Sequence, residues 1–202
     1  MKARRVPAGE DRKELILDAA DRLLAHFGYK KMTVEDIARE AGIGKGTVYL
    51  HFASKEEVVL SHVDRIVRPL FAELDAIAAQ NLSAANRLRK MLIRRVMLRF
   101  DAAAPFTVSL SEVLSDLRAG VVERRQRHFV QEAKALAAML QEGQRLGEFR
   151  KHNATATARV LIAATNSLLP FSLSTAELGK RREVEATAAG IADLLIAGLK
   201  NH

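Results

Sequence analysis

Lys45 and Tyr49 stand four residues apart, so on a helix they share one outward stripe, and an ammonium beside a phenol hydroxyl suits phosphate oxygens. Packing is the other use for Tyr49, and its stripe partner Lys45 argues for contact. Leu50 offers an apolar surface of the kind that meets a thymine methyl, and Gly46 lets a backbone come close to a groove. Thr47 and His51 complete that surface, although His51 reads equally well as a solvated polar residue. Thr33 and Lys55 flank the stretch at expected helix N-termini. There the free amides and the helix dipole favour an anion, and Lys55 adds its own charge.

Positioning these side chains takes two short helices that cross steeply. Thr33 precedes Val34, Ile37, Ala38 and Ala41, and its hydroxyl can accept the first free amides of that helix. Ala38 is small where the two helices must touch, and Gly42 can take the left-handed turn between them. Ile37, Val48 and Phe52 bury the inner faces. Upstream, Ile16, Ala19, Leu23 and Phe27 predict one apolar face of a first helix that runs from about Asp11 to a cap at Gly28. Downstream, Ser54 and Glu57 have capping-box spacing and open a fourth helix through Val58, Val63, Ile66 and Leu70, with a kink expected at Pro69. The bland reading of the same residues is an ordinary helical hairpin.

In Thr33-Val34-Glu35-Asp36-Ile37-Ala38, Ala41-Gly42-Ile43, Lys45-Gly46-Thr47-Val48-Tyr49 and His51-Phe52, followed by Ser54-Lys55-Glu56, the chain resembles the TetR family of transcriptional regulators. The resemblance implies an all-α fold: an N-terminal three-helix helix-turn-helix DNA-binding domain joined to a C-terminal helical ligand-binding and dimerisation bundle. It places a basic arm at residues 1–10, the DNA-binding domain at 11–60 with its motif at about 33–52, and the effector and dimer domain at 61–202. The implied partners are a double-stranded DNA operator, a small-molecule effector and a second copy of the chain. The implied function is a ligand-responsive repressor, with an activator, or a helical ligand-binding protein that no longer reads DNA, as alternatives. Thr33, Lys45, Gly46, Thr47, Tyr49, Leu50, His51 and Lys55 are the DNA-contact candidates. The sequence departs from the family at Gly44, where Ser or Thr often caps the recognition helix; glycine costs a few tenths of a kcal/mol there.

Beyond about Asn81 the apolar spacing predicts bundle helices over Ala84–Phe100, Phe106–Leu117, Val121–Leu146, Ala154–Leu169 and Val184–Leu199. Pro105, Gly147, Asn153 and Pro170 punctuate them. Phe100, Phe106, Phe129 and Phe171, with His128 and Asn166 as orienting polar groups, are candidates for an effector pocket; plain core is the alternative. Arg87, Lys90 and Arg94, with Arg95 and Arg99 nearby, form a cationic stripe. It reads as an anionic-effector site or, more simply, as a solvated face. Small residues at Ala156, Ala158, Ala163, Ala164, Ala188, Ala189, Gly190 and Ala192, beside Ile191, Leu195 and Leu199, permit close helix approach, either within the chain or across a two-fold dimer.

The formal charge of +8 suggests a polyanionic partner but does not locate it. Residues 1–68 carry 13 basic against 11 acidic side chains, and residues 69–202 carry 19 against 13. Lys2, Arg4 and Arg5 would attract phosphate weakly. With no cysteine there is no disulfide, thiolate nucleophile or cysteine-ligated zinc. No stretch approaches a membrane span or a signal peptide, so a cytoplasmic protein is expected. His26, His51, His62, His128, His152 and His202 show no metal-ligand spacing. With no phosphate loop or activated nucleophile either, the reading is of a non-enzyme without metal or cofactor.

Overall fold

The computed structural model describes residues 9–104, 112–113, 115–170 and 175–201. Its helices are α1 (Gly9–Lys31), α2 (Val34–Ala41), α3 (Lys45–His51), α4 (Lys55–Ala78), α5 (Ala84–Ala103), α6 (Arg118–Arg145) and α7 (Ala154–Thr165). The one-turn α8 (Thr175–Leu178) and α9 (Arg181–Ala197) complete them. Among the described residues the fold is all-α, and no helix is long and apolar enough to cross a membrane. The predicted helix over Phe106–Leu117 falls mostly outside the described residues, as do Lys2, Arg4, Arg5, Phe106 and Phe171. Two compact units are present. The first holds residues 9–64 with 112, 113 and 115–121, and the second holds 65–104, 122–170 and 175–201.

In the first unit, Ile16, Ala19 and Leu23 of α1 are buried as their spacing predicts, together with Leu17, Ala20 and Leu24. Phe27 is the exception at 54 % exposure. It sits where α1 runs past the core, and Tyr29 and Met32 close the core in its place after the chain breaks helical geometry at Gly28, φ 76°. Thr33 then caps α2. Its Oγ1 accepts from the Asp36 amide at 3.2 Å and Asp36 Oδ2 accepts from the Thr33 amide at 3.1 Å, so two free donors are satisfied reciprocally. Gly42 takes φ 67°, and the amides of Gly42 and Ile43 donate back to the carbonyls of Arg39 and Ala38. This left-handed step turns the chain into α3. Val48 and Phe52 then join Ile37 and Ala38 in the core. Ser54 Oγ accepts from the Glu57 amide at 3.2 Å and opens α4. Helix α4 continues past Pro69 to Ala78.

The second unit's main core is built from α4, α5, α6, α7 and α9 around Leu70, Leu88, Leu92, Leu136, Leu140 and Leu161. Ser83 Oγ caps α5 through the Asn86 amide. Glu148, 64 residues away in sequence, accepts from the Ala84 and Ala85 amides at 2.9 and 3.0 Å, which sets a carboxylate at the positive end of the helix dipole. Gly147 (φ 74°) reverses the chain after α6. Asn153 Oδ1 accepts from the Ala156 amide at 2.9 Å, the cap its position predicts for α7. At Gly143 a Cβ would lie 2.2 Å from the Phe149 ring, so the missing side chain is what allows Phe149 to bury itself over α6.

Candidate nucleic-acid interface

Helix α3 is two turns long, and one residue fixes its orientation. Val48 is 1 % exposed, and that burial turns Tyr49 (48 %) and Leu50 (81 %) to solvent. Lys45 and Gly46 are exposed on the same helix, and Thr47 and His51 are half-buried at its edges. The Lys45 ammonium lies 5.8 Å from the centre of the Tyr49 ring, so the predicted stripe exists as a cation over an aromatic face. Lys45 also pairs with Glu35 of α2. That hydrogen bond is the main reason the Glu35 carboxyl is held below its ordinary range and the Lys45 ammonium above its own. Both partners are about half exposed, so the pair is an exchangeable surface contact. A Cβ at Gly46 would meet nothing within 4 Å, so packing within the chain does not require glycine there.

The two flanking candidates have structural duties. The Thr33 hydroxyl donates to Asp36 Oδ2 at 2.6 Å while accepting from the Asp36 amide, so it is committed to the α2 cap; its side chain is exposed at that helix start. Lys55 donates to the Tyr29 carbonyl at 3.2 Å, and its Nζ sits 4.1 Å from the centre of the Tyr29 ring. Tyr29 in turn donates to Glu56 Oε1 at 2.9 Å. Burial, followed by that bond and the Glu56 charge, pushes the phenol well above its ordinary pKa. Lys55 therefore closes the end of α1 as well as standing beside the motif. Gly44 precedes α3 with no side-chain cap.

Of the described pocket candidates in the second unit, two line a cleft and two are buried beside it or away from it, with Phe129 also packed against the Phe100 cluster. Phe129 and Asn166 line one cleft of about 750 Å³ between α6 and α7. Phe100 is buried in a small cluster with Val96, Met97, Leu169, Val184 and Ala188, and His128 is buried with its ring 6.4 Å from Phe71. The arginine stripe also separates. Arg87 is 7 % exposed, bound to Glu142 and to the Ala78 carbonyl at 2.7 Å each, whereas Lys90 is exposed and donates to Gln80. Arg94 is half-buried against Glu73. Arg95 and Arg99, set aside as neighbours of the stripe, are 1 % and 3 % exposed and share the wholly buried Glu132. The clue to these was register: Met91, Arg95 and Arg99 share a four-residue spacing on α5, and Glu132, Leu136 and Leu140 share it on α6.

Residues 16–61 match the model of the bacterial regulatory proteins of the tetR family. Over 98 residues the chain is 33 % identical to the HTH-type transcriptional regulator BetI of Agrobacterium fabrum, a match covering 48 % of this chain and 47 % of that protein. The chain thus spans about half the length of that relative. Two solved structures share the fold across nearly the whole chain. A transcriptional regulator from Cytophaga hutchinsonii superposes with a TM-score of 0.75 at 22 % identity, covering 93 % of this chain and 98 % of that one. The transcriptional regulator FadR of Bacillus subtilis, solved in complex with stearoyl-CoA, gives 0.67 at 20 % identity over 92 % and 98 %. With the helix-turn-helix geometry of α2 and α3, and the family model lying across them, residues 16–61 form an N-terminal domain of the tetR family of bacterial regulatory proteins.

Proposed function

We propose that the chain is a ligand-responsive DNA-binding transcriptional regulator, a repressor that leaves a palindromic operator when a small-molecule effector binds. The observation that carries this reading is α3. Its inner face is buried through Val48, and Lys45, Gly46, Tyr49 and Leu50 are left exposed as one surface. Lys45 and Tyr49 contact phosphate, Leu50 meets a base methyl, and Thr47 and His51 border them. Thr33 and Lys55 bring the starts of α2 and α4 to the backbone on either side. The first unit reads DNA, and the second binds the effector and a second copy of the chain.

The outward sides of α7 and α9 support the homodimer. Ala156 and Val160 on α7, and Gly190 and Leu194 on α9, are exposed, Val160 at 59 % and Leu194 at 78 %. Ala158, Ala188, Ala192 and Leu199 of the same small-residue pattern are buried within the subunit, so the pattern serves both kinds of packing. A two-fold pair of such faces sets two motifs about one DNA turn apart.

Selection from a genomic fragment library at physiological salt tests the reading. The wild-type protein enriches one palindromic site and Tyr49→Ala does not. A folded dimer that enriches no site would leave a helical ligand-binding protein, and a site lying where bound protein raises transcription would make it an activator.

A further inference from the structure

The cleft between α6 and α7 has a charge pattern that names a ligand class. Its lining residues on α6 run from Gln126 to Gln141, about 22 Å at 1.5 Å per residue, which is room for an extended chain. Ala133, Ala137 and Ile162 make an apolar bed. Among the described residues that line it, the ionisable ones are Lys134 and Arg159, both cations and both exposed.

Behind one end of the cleft lies a surplus of buried positive charge. Glu132 accepts from Arg95 Nε at 2.7 Å and from Arg99 Nη2 at 2.6 Å, so two guanidinium groups share one carboxylate out of water. Arg99 Nε is buried with no hydrogen-bond partner. Arg95 spreads its other donors over neutral acceptors: the Thr165 hydroxyl, the Ile162 carbonyl and Asn166 Oδ1 at 3.1 Å. Uncompensated charge in the interior costs several kcal/mol, and a second carboxylate or a phosphate would relieve it with charge-assisted bonds. Arg95 is tied to the cleft through two of its lining residues. Asn166 and Phe129, which line it, are respectively its hydrogen-bond partner and a ring 5.5 Å from its guanidinium carbon.

We propose that this cleft binds an amphipathic anion, with its alkyl chain along Ala133, Ala137 and Ile162 and its acidic head at the Phe129–Asn166 end, where it replaces Asn166 as the partner of Arg95. Lys134 and Arg159 draw the head in from the rim. The site deepens the effector half of the proposed function and rests on it. Its test therefore uses no DNA, so that failure here is separable from failure to find an operator.

Titration calorimetry of the full chain with dodecanoate, dodecyl phosphate, dodecanol and dodecyltrimethylammonium, each below its micelle concentration, decides the matter. Both anions should bind at least tenfold more tightly than the alcohol or the cation. Arg95→Met leaves Arg99 and Glu132 as a balanced pair, so this variant should stay folded and lose that preference. Should it not fold, Asn166→Leu walls Arg95 off and carries the same expectation. Equal binding of dodecanoate and dodecanol by the wild type, or a folded variant that keeps the tenfold preference, overturns the proposal.

Discussion

The ion pairs around the recognition helix and the charged cluster in the core of the second unit are built in opposite ways, although the second unit also carries surface pairs such as Arg89–Asp193. Around the recognition helix, Lys45–Glu35, Arg39–Asp36 and Arg22–Glu40 are pairs at the surface, where water screens both partners. In the second unit Arg95, Arg99 and Glu132 are all but sealed from solvent. A surface pair can be exchanged for another anion at little cost, which suits the face proposed above to meet phosphates. A buried group cannot lose its partner cheaply, so this cluster holds its charges in place and makes their balance a property of the fold.

The largest test of this contrast is Glu132→Ala, which strands two guanidinium groups in the interior. It should destabilise the protein by about 3–5 kcal/mol in urea denaturation, and a loss near zero would show that water reaches Arg95 and Arg99. A smaller effect belongs to Thr33→Ala in the first unit. Losing the α2 cap should cost about 1 kcal/mol by the same measurement, and a neutral result would mean that Asp36 alone secures the helix start. Third comes Glu35→Gln, which frees Lys45 and removes a negative charge from the side proposed to face DNA. It should leave the denaturation midpoint where it is and raise operator affinity severalfold at low salt. Unchanged affinity would break the exchange argument.

The smallest effect is in the pH dependence of Glu73→Gln. The bond from Arg94 holds the Glu73 carboxyl below its ordinary value, so its stabilising contribution is full above pH 4.5 and fades as the pH falls through the depressed value. The variant should show a slightly shallower acid limb below pH 4.5 in denaturation series, with no difference in slope near neutrality.

Punctuation was the legible part of the sequence. Gly28, Thr33, Gly42, Ser54 and Asn153 each do what their type and position predict, because a cap or left-handed turn depends on a few neighbouring atoms. Facing was legible wherever three or four apolar residues agreed, as in α2 and α3. It failed at Phe27, since periodicity says which side of a helix is buried and not where the core beneath it ends. Burial of Arg87, Arg95 and Arg99 was not legible, because arginine is ordinarily solvated and the acids that hold it, Glu142 and Glu132, lie on another helix. Phe129 and Asn166 line one cleft, whereas Phe100 is buried in a cluster that Phe129 packs against and His128 faces Phe71, a sorting that depends on helix packing and has no counterpart in spacing along the chain.

Gly44 also bears on timing. The recognition helix begins without a side-chain acceptor for its first amides, which leaves them open to an anion. Serine at this position should lengthen operator residence by a factor of about two, the kinetic equivalent of the few tenths of a kcal/mol that separate the two caps. If the proposed repressor reading holds, a shorter residence lets transcription follow the effector closely, and the missing hydroxyl sets part of that speed.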